Sequence, residues 1–170
     1  PENYNADSGA GLDQVDTDGF YSWSALLPYM ISAEIMDVSA FDGWEIVNAP
    51  GDTTIGPVGT PAGTVTLERH NGVVTLRRGT RALFATNVPG RLHGIEWAAD
   101  RLRLTLPDGR PAGVWIRIAW HDDNKSGAPD LALAQQGGHA LTTKTAGDMT
   151  EIAIKAGDGH NNLVLLLSRN

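Results

Sequence analysis

Cysteine is absent from the 170 residues, which excludes disulfides and thiolate metal sites. That absence assigns no compartment, because exported proteins also manage without cysteine. Basic charge is scarce: 13 Lys and Arg face 20 Asp and Glu, for a formal net charge of −7. The average field therefore repels polyanions, and nucleic acid is not an expected partner. Arg77, Arg78 and Arg81 do cluster, but they read as the solvated edge of a hairpin. Long hydrophobic runs are missing as well. The most apolar stretch, residues 23–36, is broken by Ser24, Pro28, Ser32 and Glu34. It falls short of the roughly 20 apolar residues that a bilayer crossing needs, so no membrane partner is expected. No basic region with a following cleavable apolar segment is visible at the start, and localisation stays unassigned.

Several catalytic signatures are missing too. The five histidines, His70, His93, His121, His139 and His160, show no metal-ligand spacing such as two on one helical turn. His70 and His160 border turns and should face solvent. No Gly-x-Ser-x-Gly elbow occurs, and the glycines of "GAGLDQVDTDG" precede no phosphate-binding lysine.

What remains is a globular composition, 41% hydrophobic and 19% charged, written in two different patterns. Residues 20–38 read as a helix, with Asp16, Thr17 and Asp18 offering capping oxygens at its positive end. Pro28 should kink it. Trp23, Leu26, Leu27, Met30, Ile31, Ile35 and Met36 leave almost no polar stripe, so this helix needs cover on nearly every side. The rest of the sequence offers no second long helix to provide it. The segment therefore reads as part of a larger helical body, with Pro1 as a cut edge.

From Asp42 onward the pattern is that of strands. "FDGWEIVNAPGDTTIGPVGTPAG" is rich in Gly, Pro and Thr and reads as a connection with one short strand at Trp44–Val47. "TVTLERHNGVVTLRRG" holds two alternating runs around Asn71-Gly72, a dipeptide suited to a type I′ hairpin turn. Leu102, Leu104 and Leu106 alternate with Arg101, Arg103 and Thr105, giving a dry face and a wet face. Val114, Ile116 and Ile118 oppose Trp115, Arg117 and Ala119 in the same way. "NLVLLLS" is apolar enough for a central strand. The predicted fold is mainly β: an antiparallel β-sandwich over 52–170, a linker over 43–51, and a loop with one helix over 1–42.

The opening "PENYNADSGAG", an acidic Gly-containing loop, and the aromatic start "FYSW" of the helix together resemble the last catalytic stretch of inverting (α/α)6-barrel glycoside hydrolases. These are families 63 and 37 and the mannosylglycerate-hydrolase-like enzymes, and the resemblance covers about the first 40 residues. It implies that residues 1–42 are the last catalytic loop and helix of the barrel. It also implies that Glu2 is the general base that activates water, that Tyr4 supports the site and that Trp23 lines the sugar pocket. Inversion needs a second carboxylate as general acid, about 6.5–9.5 Å from the first. In these families it is an Asp upstream of this motif, and Asp7, Asp13, Asp16 and Asp18 do not match that role. The resemblance thus implies a glucosyl- or mannosyl-type glycan as substrate and a partner in the remainder of the barrel or another polypeptide. It also implies that these 170 residues alone are inactive. The other reading is a non-catalytic β-sandwich module that binds carbohydrate or protein.

Two further features carry chemistry. In "WHDDNKSGAPD", Asp122, Asn124, Ser126 and Asp130 place oxygens in the alternation of a calcium loop, with Gly127 at the bend. Leu133 stands where a terminal acidic ligand belongs, and such runs also form plain turns, so the expectation is no metal and no cofactor, with calcium as the alternative. Trp97, Trp115 and Trp120 read either as a sugar-binding platform or as core residues.

Overall fold

Alternating side chains can bury only one face of a strand, so the expected strands need a second layer to cover them. The computed structural model describes residues 44–60, 63–120 and 124–168 and supplies that layer. The anticipated helix, Glu2, Tyr4, Trp23 and Asp122 lie outside the described residues. Thirteen strands are present among the described residues, and no helix. They are β1 (Trp44–Asn48), β2 (Thr53–Thr60), β3 (Gly63–His70), β4 (Val73–Arg78), β5 (Arg81–Thr86), β6 (Gly90–Trp97) and β7 (Arg101–Thr105). Then follow β8 (Trp115–Ile118), β9 (Leu131–Gln136), β10 (His139–Ala140), β11 (Thr143–Ala146), β12 (Met149–Ala153) and β13 (Asn162–Leu167).

The strands form two antiparallel sheets. One has six strands in the order β1-β6-β7-β13-β9-β10, the other seven in the order β11-β12-β8-β5-β4-β3-β2. Their apolar faces meet in one core. Ile46, Leu92, Leu102, Leu104, Leu163 and Leu165 come from the first sheet, and Leu67, Val74, Leu76, Ile116, Ile118 and Ile152 from the second. Phe84 on β5 meets Trp97 on β6 edge to face, with ring centroids 6.1 Å apart, which fixes direct contact across the layers. Each fully buried aliphatic side chain contributes about 1.5–3 kcal/mol, so the shared core is what holds the sheets together.

Local expectations carry over where short-range chemistry decides them. Leu102 and Leu104 are buried while Arg101 and Arg103 are exposed. The β3–β4 hairpin turns at Asn71 (φ 51) and Gly72 (φ 74), the positive-φ pair of a type I′ turn. β13 lies between β7 and β9, with Leu163, Leu165 and Leu167 inward. β1 is the short strand expected near Trp44, and it pairs with β6.

One element departs from the expected connection. Thr53–Thr60 is a strand, β2, although it contains Gly56 and Pro57. The physical reason is its place at the sheet edge, where a proline removes no ladder bond on its free side. The register shifts between Ile55 and Val58, so Gly56 and Pro57 sit in an irregularity rather than in the regular ladder. A Cβ on Gly56 would lie 2.8 Å from the Val65 carbonyl oxygen, so only glycine fits that close approach.

Candidate functional site

The described residues settle the tryptophan question. Trp97 and Trp120 are buried at 8% and 7% exposure, so they belong to the core and cannot form a platform with Trp115. Alternation with Ile95 explains Trp97, since both point inward from the same strand. Trp115 faces outward on β8, half-buried, with the Arg117 guanidinium 4.1 Å above its ring. Arg117 in turn binds Glu151, its Nε and its terminal nitrogen lying 2.8 and 2.7 Å from Oε2. Lys144 Nζ holds the other oxygen at 2.9 Å. A charged ladder therefore crosses β11, β12 and β8, and its Arg117 covers one face of the Trp115 ring.

Of the calcium-loop residues, Asn124, Ser126 and Asp130 are exposed. The following backbone is tied to the sandwich, since the Thr150 hydroxyl donates to the Pro129 carbonyl and the Ser168 N–H to that of Asp130. Among the described residues no group of three or more His, Cys, Asp or Glu could hold a metal ion.

Two polar clusters bring together residues far apart in sequence. In the first, His70 Nδ1 donates to Asp52 Oδ2 at 2.6 Å, and the Asn71 backbone N–H donates to Asp52 Oδ1 at 3.1 Å. The Asn71 amide nitrogen lies 2.8 Å from His70 Nε2, so the outer ring nitrogen meets an amide. An Asp–His pair is two-thirds of a nucleophile-activating triad, but here the third position is taken by an amide. With His70 73% exposed and no hydroxyl at Nε2, the pair acts as a clasp on the hairpin turn. Buried Asn48 assists by donating to the carbonyls of Gly72 and Val88.

The second cluster joins the β7–β8 and β12–β13 loops. Asp158 accepts from the Gly109 N–H, while Asp108 accepts from Gly159 N–H and, at 2.7 Å, from the Asn161 amide. Beneath them Arg110, 3% exposed, donates to the carbonyl of Pro107, to Asn161 Oδ1 at 2.7 Å and to the carbonyl of Lys155. His139 and His160, 21 residues apart and both exposed, meet edge to face at 5.1 Å beside this cluster. These carboxylates, too, are committed to holding loops.

The commitments leave a mark on titration. The Asn71 N–H and then His70 hold Asp52 below the ordinary carboxylate value. The Asn161 amide and then the Gly159 N–H do the same for Asp108. Lys144 and, against the opposing effect of burial, Arg117 lower Glu151. A depressed native pKa means that the unfolded chain binds more protons at mildly acid pH. The three contributions are therefore complete above the ordinary carboxylate range and disappear as pH falls through the native values. Urea unfolding is expected to show stability dropping between about pH 5 and about pH 3, and Asp108→Asn should flatten that drop. An unchanged slope in Asp108→Asn would show that Asp108 is not a linked group.

Among the described residues, unpartnered polar atoms occur in two places: Arg69 Nε is buried without a partner beside the Asp52–His70 pair, and a second site gathers four polar side chains without one. The inward residues of β6 step by three and then two, Leu92, Ile95 and Trp97, because an extra residue bulges out at Gly94 (φ 60). The bulge opens a groove of about 330 Å³ on the outer face of the six-stranded sheet. Two adjacent rows line it. Thr105 pairs with Asn162 in one, and Arg103 lies between Glu96 and Val164 in the other. Among the described residues no hydrogen bond or ion pair occupies the side chains of Glu96, Arg103, Thr105 or Asn162. The groove itself has no sequence motif; the uneven spacing of Leu92, Ile95 and Trp97 was the available signal.

No protein family, no curated protein and no solved structure matches the chain.

Proposed function

We propose that this chain is the C-terminal portion of an inverting glycoside hydrolase acting on a glucosyl- or mannosyl-type glycan. Glu2 serves as the water-activating base, and a β-sandwich follows the last barrel helix. The observation that carries the reading is the ordered motif Glu2-Asn3-Tyr4-Asn5, acidic glycine loop and Trp23 helix start. Its chemistry is coherent: a carboxylate deprotonates water, and an aromatic face packs on the apolar side of a pyranose. The partner acid comes from the remainder of the barrel, on the same polypeptide or another. An all-β body whose Asp–His and Asp–Asp clusters are spent on loop clasps fits an accessory role beside such a barrel.

The test is turnover. The 170-residue chain alone is expected to leave glucosyl and mannosyl oligosaccharides intact, and hydrolysis with inversion should appear only when the rest of the barrel is present. Robust hydrolysis by the chain alone would overturn the account of the missing acid. The second reading, a non-catalytic binding module, is favoured by one observation, the uncommitted groove at Gly94.

A further inference from the structure

We infer that the groove over the β6 bulge is a saccharide-binding site, separate from any catalytic centre, that takes a neutral sugar unit. The choice of a sugar rests on the glycan reading proposed above; the groove itself does not. Three features converge. First, the concavity is built by backbone. The register shifts between His93 and Glu96 around Gly94, whose φ of 60 is one that L side chains rarely adopt. Bulges commonly sit where a sheet must re-aim side chains or admit a ligand.

Second, the polar groups at this place are uncommitted, in contrast to the carboxylates of the loop clasps and the charged ladder. Asp52, Asp108, Asp158 and Glu151 each accept from neighbouring donors, whereas the side chains of Glu96, Arg103, Thr105 and Asn162 meet no hydrogen-bond or ion-pair partner among the described residues. A few convergent polar groups in a concave setting are the ordinary mark of a small-molecule site.

Third, the chemistry of the set selects the ligand class. Arg103 offers a planar fork of donors, Glu96 offers two acceptor oxygens, and Asn162 and Thr105 supply both kinds. Adjacent hydroxyls of a sugar, each a donor and an acceptor, match that mixture. Glu96 and Arg103 cancel in charge, which favours a neutral unit over an acidic one. Val164, half-buried in the row of Arg103, presents an aliphatic surface to the ring C–H groups. The groove is open to water, so weak affinity is expected, with Kd on the order of 1 mM.

The experiment is an NMR titration of the 170-residue chain with maltotriose, mannotriose and, as an acidic comparison, trigalacturonate. The expected result is that a neutral trisaccharide shifts the amides of Gly94, Glu96, Arg103, Thr105 and Asn162. Arg103→Ala and Glu96→Ala change exposed side chains and should leave the spectrum folded, yet each should weaken binding by about tenfold. Failure here leaves the proposed catalytic reading untouched, because that reading is judged by turnover of the barrel-complete enzyme. No shift at tens of millimolar sugar, shifts centred on Trp115, a response to trigalacturonate alone, or binding indifferent to both substitutions would each overturn the groove site.

Discussion

Arg110→Ala is expected to lower the free energy of unfolding by about 2–4 kcal/mol, read from chemical denaturation at neutral pH. Arg110 is only 3% exposed and donates to Pro107, Asn161 and Lys155. Alanine would remove those donors and leave the acceptors covered without replacement, which is the expensive half of hydrogen-bond energetics. The Asn161 amide would also lose its orientation toward Asp108, so the clasp between the two loops should loosen with it. At about 2–4 °C per kcal/mol for a chain of this size, the melting temperature should fall visibly. Arg110→Met keeps the aliphatic stem and should recover the packing part of the loss but not the hydrogen-bonded part. Wild-type stability in Arg110→Ala would mean that the loops are held by something else.

On the glycoside-hydrolase reading proposed above, Glu2→Gln, made in a polypeptide that includes the proposed barrel, is expected to reduce kcat by about 10²–10⁴-fold with little change in KM. Glutamine keeps the size of the side chain but cannot take a proton from water, so the loss belongs to the chemical step. Trp23→Ala should act differently, raising KM through lost ring packing. If Glu2→Gln turns over normally, the base lies elsewhere, and the resemblance carried by the opening motif has misassigned it.

How much of this was legible beforehand depends on the range of the interactions involved. The β3–β4 turn is decided by two adjacent residues, Asn71 and Gly72, that tolerate positive φ, so it is readable locally. The dry and wet faces of β7 and the central place of β13 follow from period-two patterning. β2 was hidden because Gly56 and Pro57 resemble a connection; only its position at a sheet edge makes them tolerable in a strand. Trp97, Trp115 and Trp120 look alike in sequence, and it took two packed layers to bury two of them and leave one beneath an arginine. Of the candidate site, the groove was half-visible in the uneven spacing on β6, but the rest of its lining comes from β7 and from β13, a strand far along the chain.

The sequence by itself determined the antiparallel strand pattern after Asp42, the hairpin turn at Asn71-Gly72 and the acidic balance, because each depends on residues within a few positions or on simple counts. Only the tertiary structure decided that Arg110 is a buried fastener, that Asp52 and His70 form a clasp without a nucleophile, and that Glu96, Arg103 and Asn162 surround one groove. Those outcomes depend on which distant strands become neighbours, and strand neighbours are selected by burying a shared core, not by any signal carried within a single strand.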